Sequence, residues 1–418
     1  MKKQIKRILT ELSKRNIYIR KIVRKMFFYK RKVSYLKYFR KNEVNNKIII
    51  FEAYMGRSYA CSPKAIYEEM LMDEKYKDFE FVWAFKNKSD HQTIKNLESA
   101  TIVKYGGKKY YEYYSKAKYW VTNSRLPEHI IKKPEQVYVQ CWHGTPLKRL
   151  GYDILAETQN AMNTQEEMIE KYNSDAIRYS YMLSPSKFCT EKFTSAFNLN
   201  ELHTTNIIIE EGYPRNDYLY NYKEEDITRI KEELGIPENK KIVLYAPTWR
   251  DNQHTSGVGY TYKTEADFDY LKEKLEDDYV ILFRAHYFIA NSFDFEKYEG
   301  FVYDVSKIDD INELYVISDI LITDYSSVFF DYANLKRPML FFMYDLEFYE
   351  NKLRGFYIDL KELPGDIIKE EVDIVNIIKD INDYNKRHAK TYKVFNEKYN
   401  YLDDGQASKR VLTKIVNE

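Results

Sequence analysis

From Lys47 onward, short apolar runs rich in Ile, Val, Phe and Tyr alternate with stretches whose apolar residues recur every three or four positions. The runs Ile48–Ala53, Phe79–Phe85, Tyr119–Thr122, Val137–Cys141 and Asn206–Ile209 predict strands, and the spacing in Pro63–Met72 and Lys108–Ala117 predicts helices between them. The polar stretch Asn221–Asp226 interrupts this series. Beyond it a helix reaches Leu234, and Lys241–Tyr245, Tyr279–Phe283, Phe301–Tyr303, Asp319–Thr323 and Met339–Phe342 predict a second set of strands, with helices over Ile311–Ile317 and Val328–Leu335. Strand and helix in alternation imply parallel sheets joined by right-handed crossovers. The break divides the chain into two doubly wound α/β domains that face one another, residues 43–220 and 221–418, with no internal repeat.

Residues 1–42 follow a different pattern. Ile5, Ile8, Leu9 and Leu12, then Ile19, Ile22, Val23, Met26 and Phe27, recur at helical spacing among 16 Lys and Arg up to Lys41, against the single acid Glu11. The chain's net charge of +2 therefore hides +15 at this end and −13 over the rest. A basic amphipathic helix of this kind suits an anionic membrane surface. A domain-capping helix with a solvated face, or a nucleic-acid-binding arm, fits the same pattern. The apolar positions from Ile19 to Phe28 are broken by Arg20, Lys21, Arg24 and Lys25, which a secretory signal does not tolerate. No apolar run approaches the roughly 18 residues needed to cross a bilayer. With 418 residues, 44% of them hydrophobic, and only 13 Gly and 10 Pro, the chain is neither collagenous nor a disordered segment. Three widely separated cysteines, Cys61, Cys141 and Cys189, argue for a reducing compartment and against a disulfide framework or metal knuckle.

Neither GxGxxG nor GxxxxGK[ST] occurs, so phosphate binding needs another device. The strand Asp319–Thr323 runs into Asp324-Tyr325-Ser326-Ser327 and then a helix, which sets two hydroxyls and free backbone N–H groups at a helix start on the carboxyl edge of a parallel sheet. A diphosphate fits there; helix capping alone also explains the serines. Thr248 and Arg250 follow the strand ending at Tyr245, Arg284 and His286 follow Phe283, and Asp304 ends the next strand. Four strand ends carrying cations and hydrogen-bond donors converge on one rim, as a nucleotide diphosphate requires. In the first domain, Val137–Trp142 delivers His143 onto a Gly144-Thr145-Pro146 turn with Lys148 beyond it, and Asn123, Ser124 and Arg125 end the preceding strand. His143 is either a working imidazole or a buried structural one. His91, His129, His203, His254 and His388 lie in polar segments without ligand-like spacing and are expected at the surface, and no carboxylate–His cluster suggests a metal.

Cys-Trp-His-Gly-Thr-Pro-Leu-Lys (141–148), Gly-Tyr-Pro-Arg-Asn-Asp (212–217), Tyr-Ala-Pro-Thr-Trp-Arg (245–250), Phe-Arg-Ala-His (283–286) and the block from Asp310 through Thr323-Asp-Tyr-Ser-Ser to Asp331 occur in one order. Over about Ile48 to Tyr401 this order resembles the CDP-glycerol glycerophosphotransferases of bacterial teichoic acid synthesis, whose relatives use CDP-ribitol. The resemblance implies a GT-B arrangement of two facing Rossmann-like domains, with the CDP-alditol held by the second domain and the acceptor by the first. It implies transfer of an alditol phosphate from its CDP ester to a hydroxyl of a lipid-linked saccharide, with CMP leaving, at the cytoplasmic face of the cell membrane. No cofactor, metal or nucleic acid enters that scheme. The compact length resembles primase-type members. His143 is then the expected base and His286 the second catalytic residue, serving the leaving diphosphate, which Thr248, Arg250, Arg284, Asp324, Ser326 and Ser327 hold; Asp331 accepts ribose hydroxyls, and Asn123, Arg125, Gly144, Thr145 and Lys148 serve the acceptor side. The rivals are a GT-B glycosyltransferase using a nucleotide sugar and a non-catalytic membrane- or nucleic-acid-binding protein on the same fold.

Overall fold

The computed structural model of the chain describes residues 17–87, 89, 94–154, 165–248, 254–255, 259–260, 266–284, 293–347 and 355–416. Among them are two all-parallel sheets. The first holds β1 (Asn45–Glu52), β2 (Glu80–Phe85), β3 (Thr101–Lys104), β4 (Ala117–Thr122), β5 (Val137–Gln140), β6 (Tyr181–Ser184) and β7 (Ile208–Glu210) in the order β3-β2-β1-β4-β5-β6-β7. The second holds β8 (Lys241–Ala246), β11 (Tyr279–Phe283), β12 (Val302–Asp304), β13 (Ile320–Thr323), β14 (Met339–Phe342) and β15 (Ile367–Ile368) in the order β12-β11-β8-β13-β14-β15. A short antiparallel ribbon, β9 (His254–Thr255) and β10 (Gly259–Tyr260), lies apart from both. The fold is thus mixed α/β with two parallel sheets, as the alternation predicts.

Continuous apolar runs form the central strands because helices cover both faces of each sheet. Ile48 to Phe51 in β1 and Ile242 to Ala246 in β8 are buried without alternation. One cluster of buried side chains extends from Ile50 and Val82 in the first sheet to Leu244 and Leu282 in the second. Burying each such side chain contributes about 1.5–3 kcal/mol. Polar contacts fix the relative position of the two sheets: Lys64 pairs with Asp310 at 2.8 Å, and the Tyr59 N–H donates to Asp309 at 2.8 Å. The last helix, Ala407–Ile415, returns to the first sheet, where Val411, Leu412 and Ile415 pack with Ile49, Phe51, Ile66 and Met70. A boundary drawn once near 220 leaves out this second crossing.

The helix Ile17–Lys41 docks by its C-terminal part. Tyr35 is fully buried against Tyr111 and donates its hydroxyl to the Ile131 carbonyl at 2.7 Å. Farther out, Ile22, Met26, Tyr29 and Val33 are exposed, at spacings of four, three and four that set them along one stripe. The positions Ile5 to Leu12 lie outside the described residues. His129, expected at the surface, is buried instead. It contacts the Tyr111 hydroxyl at 3.2 Å, and burial lowers its pKa to about 4, so it is a neutral packing residue.

Candidate active site

In doubly wound sheets ligands bind beyond the strand carboxyl ends where strand order reverses. In the first sheet that point lies between β1 and β4, and in the second between β8 and β13. The residues following these strands, Tyr54 and Asn123 on one side and Thr248 and Asp324 on the other, therefore mark the site before any side chain is considered. Both pairs are tied: Asn123 Oδ1 accepts the Tyr54 N–H at 2.7 Å, and Asp324 Oδ1 accepts the Thr248 N–H at 2.8 Å. Between the two edges lies a cleft of about 450 Å³, lined by residues 142–148, Ala246, Pro247, Thr248, Arg284 and Tyr325–Val328 among others.

His143 reaches the cleft through a strained turn after β5. The Cys141 N–H extends the ladder by donating to the Thr122 carbonyl at 2.7 Å, and Gln140 Oε1 accepts the Trp142 N–H at 2.9 Å. Trp142 then takes φ of 53°, a left-handed conformation that costs a bulky residue energy on the order of 1 kcal/mol. Its indole, anchored on Phe193 and Phe197, stacks on the His143 ring with centroids 4.8 Å apart. The Asn123 carbonyl lies 2.8 Å from His143 Nδ1. A carbonyl only accepts, so Nδ1 carries the proton and Nε2 presents a lone pair, which settles the tautomer. The ring edge is open to the cleft, but its depth between the two sheets disfavours the imidazolium. This desolvation outweighs the Asn123 bond, and with the nearby Arg215 guanidinium it lowers the His143 pKa below its ordinary value.

The opposite wall is the start of the helix Val328–Tyr332. Ser327 occupies its N-cap without using its hydroxyl as a cap, and Ser326 precedes it in the cleft lining. With five residues the helix has little macrodipole, so hydroxyl and backbone donors supply most of its capacity to hold an anion. A Cβ on Gly144 would sit 2.8 Å from Ser327 Oγ, so the glycine is needed for close approach of the two walls. Gly144→Ala is expected to fold normally, because a serine hydroxyl can rotate away. The displaced hydroxyl should cost about tenfold in turnover or donor affinity, equivalent to about 1.4 kcal/mol, measured by steady-state kinetics.

The remaining expected residues separate into groups. Thr145 and Lys148 line the cleft, and the Lys148 backbone forms an antiparallel bridge with Phe356. Arg284 lines it too, but its Nη1 donates to the Val305 and Ile308 carbonyls at 2.9 and 2.7 Å. Arg125 points elsewhere: its Nε pairs with Asp175 and its guanidinium lies over Tyr172. Asp331, expected to meet ribose hydroxyls, turns inward instead, where its Oδ1 accepts from Arg215 at 2.8 Å and Asn216 at 3.2 Å. Arg250 and His286 lie outside the described residues. Among the described residues no group of three or more His, Cys, Asp or Glu is placed to hold a metal ion.

Residues 34–417 match the family described as CDP-glycerol:poly(glycerophosphate) glycerophosphotransferase. The chain belongs to this family. Among relatives of this glycerophosphotransferase-family chain, the teichoic acid poly(glycerol phosphate) polymerase of Bacillus subtilis (strain 168) is 41% identical over 378 residues, 89% of this chain and 49% of that protein. The chain thus spans about half the length of that relative. The teichoic acid glycerol-phosphate transferase of Staphylococcus aureus (strain NCTC 8325 / PS 47) is 38% identical over 375 residues, 89% of this chain and 93% of that protein. The wall teichoic acid polymerase TagF, solved as a His-to-Asn variant soaked with CDPG, superposes with a TM-score of 0.84 at 38% identity, covering 94% of this chain and 95% of that one.

Two contributors to this family member's site were not expected from the chain. Tyr54 follows β1 with φ of 48° and sets its ring edge against His143 at 6.2 Å; the polar Tyr-Met-Gly-Arg turn after a buried strand was the available signal. Arg215 lies in the 212–217 motif, but nothing in its spacing announces that its side chain is buried against Asp331 of the helix that follows Ser327.

Proposed function

We propose that the protein transfers glycerol phosphate, or ribitol phosphate, from its CDP ester to a hydroxyl of a membrane-linked acceptor in teichoic acid or related wall polymer synthesis. The observation that carries this reading is the His143 imidazole, held as the Nδ1–H tautomer by the Asn123 carbonyl, facing Ser326 and Ser327 across one cleft. His143 Nε2 takes the proton of the acceptor hydroxyl as its oxygen attacks the phosphorus bearing the alditol. The bond from that phosphorus to the bridging oxygen breaks, and CMP leaves. Ser326, Ser327, Thr248 and Arg284 donate to the diphosphate oxygens, with Arg250 and His286 as further donors on the same strand ends. The second sheet then carries the donor and the first the acceptor, a GT-B arrangement. Kinship with a polymerase and a glycerol-phosphate transferase at about 40% identity supports glycerol as the alditol, and addition to an acceptor already primed, over the priming role suggested by length. Titrating the full chain by calorimetry with CDP-glycerol, CDP-ribitol and a UDP-sugar tests the donor. Binding of a CDP-alditol alone is expected; a preference for the UDP-sugar contradicts the reading and favours a glycosyltransferase.

The basic end supports attachment of the enzyme to the membrane, at its cytoplasmic face. No described helix is long and apolar enough to cross one, while the exposed stripe Ile22, Met26, Tyr29 and Val33 stands among Lys and Arg side chains. At about 1 kcal/mol per cation near an anionic surface, a few engaged residues suffice, and salt should weaken them. In vesicle co-sedimentation, the full chain is expected to bind phosphatidylglycerol vesicles and release in high salt. A chain starting at Glu43 should bind markedly less; equal binding by both contradicts the assignment.

A further inference from the structure

Bonded to the helix that carries the Ser326–Ser327 wall lies a buried cation to which the proposed chemistry gives no task. Arg215 stands in the turn Pro214–Asp217 and is 5% exposed. Its Nη2 donates to Asp331 at 2.8 Å, its Nη1 to Cys61 Sγ at 3.8 Å, and its guanidinium lies 4.1 Å over the Tyr213 ring. Its backbone carbonyl accepts from Asn312, in the helix Ile311–Ile317. Beside it, Asn216 Nδ2 reaches both Asp331, at 3.2 Å, and Asp403, at 2.7 Å. The contacts therefore join helix Cys61–Met72 of the first domain, two helices of the second and the turn before the returning helix Ala407–Ile415.

Such a pair is poorly explained as a source of stability. Desolvating two charges offsets most of their attraction, and apolar replacements of similar volume are often neutral or better. What it does provide is one fixed geometry. Asp331 lies four residues after Ser327 in the same short helix, so whatever holds Asp331 sets where Ser326 and Ser327 stand relative to the Gly144 turn.

We propose that Arg215 is a positioning residue, which through Asp331 sets the Ser326–Ser327 wall against His143 across the cleft. The proposal rests on the reading of His143 as the base. The titratable and charged groups around His143 are Tyr54, Arg215 and, along the cleft, Arg284 and Lys148; Trp142 and Asn123 are neutral. Of these, the Arg215 charge contributes to the lowered pKa of the imidazole.

The test measures turnover by CMP release across about pH 5 to 9, with thermal melting, on Arg215→Lys, Arg215→Met, the double variant Arg215→Met/Asp331→Leu and His143→Ala. The double variant removes both charges, so it leaves no unpaired buried charge, and with Asn216 still held by Asp403 it is expected to melt near wild type. Its turnover should fall roughly 10- to 100-fold, as expected for a misplaced reacting group. Its acid limb should move to higher pH, because losing a positive neighbour raises the pKa of the base, which then stays protonated further up the scale. Arg215→Lys keeps the charge, so its acid limb should stay in place while turnover falls, since one ammonium does not reproduce the guanidinium fork. Turnover and acid limb both unchanged in a folded double variant, or losses in all Arg215 variants that track the unfolded fraction with an unmoved pH profile, overturn the proposal. His143→Ala separates the layers: if it is inactive while the double variant is normal, the positioning role alone fails. If His143→Ala turns over at the wild-type rate, the reading of the base fails and the proposal with it.

Discussion

His143→Ala is expected to lose about 100- to 10,000-fold in turnover, the usual contribution of a general base, while donor affinity and melting temperature stay near wild type. The expectation follows from the division of labour across the cleft. In the proposed reading, His143, which follows a strand of the first sheet, meets the acceptor proton, whereas the groups proposed to face the diphosphate follow strands of the second. A buried structural histidine would behave in the opposite way, lowering the melting temperature when removed, but the His143 ring edge is exposed and its only hydrogen bond among the described residues is to the Asn123 carbonyl. The pH profile has a definite sign. Desolvation lowers the folded pKa, so the neutral, active form persists to more acidic pH than for an ordinary histidine. Activity is lost only as pH falls through that lowered value, and an acid limb above about 6.5, the unperturbed histidine value, would contradict the assignment.

Arg284→Ala should produce two losses that separate experimentally. Its Nη1 satisfies the Val305 and Ile308 carbonyls, and orphaning a buried carbonyl costs about 1–3 kcal/mol. Among the described residues its Nε and Nη2 make no hydrogen bond, which leaves them for a ligand at the cleft wall. A charge-assisted bond to phosphate contributes about 1.5–3 kcal/mol, so the folded fraction of the variant should bind CDP-glycerol at least tenfold more weakly. Calorimetry below the melting transition reads the second effect free of the first. A lowered melting temperature with unchanged donor affinity would assign Arg284 to structure alone.

Much of this was legible along the chain, for reasons specific to each element. Central strands such as β1 and β8 are buried on both faces and so read as unbroken apolar runs. β3 and β15 bury one side chain each, so no apolar run marks them, and like β6 they are defined by pairing with their neighbours. The strand ends bearing His143, Thr248, Arg284 and Ser326–Ser327 stood out because polar groups follow buried strands abruptly, and those described do line one cleft. Direction was less visible than position. Arg125 and Asp331 occupy strand and helix ends near the rim, yet each turns to a buried partner that lies distant in the chain, Asp175 and Arg215 respectively. The glycine after His143 suggested the special backbone of the turn, but the left-handed residue is Trp142, held there by aromatic packing. Gly144 is required for its missing side chain rather than for its φ. The return of Ala407–Ile415 to the first sheet likewise depends on which apolar stripe it meets, which its own amphipathic pattern does not record.

The most direct test of alditol phosphate transfer is a single-turnover reaction of the full chain with CDP-glycerol and a lipid-linked disaccharide analogue carrying one glycerol phosphate, following CMP release and acceptor mass together. The account predicts one CMP for each gain of one glycerol phosphate unit, with both signals lost together in His143→Ala. Release of a nucleoside diphosphate, CMP formed without any gain in acceptor mass, or an undiminished rate in His143→Ala would contradict it.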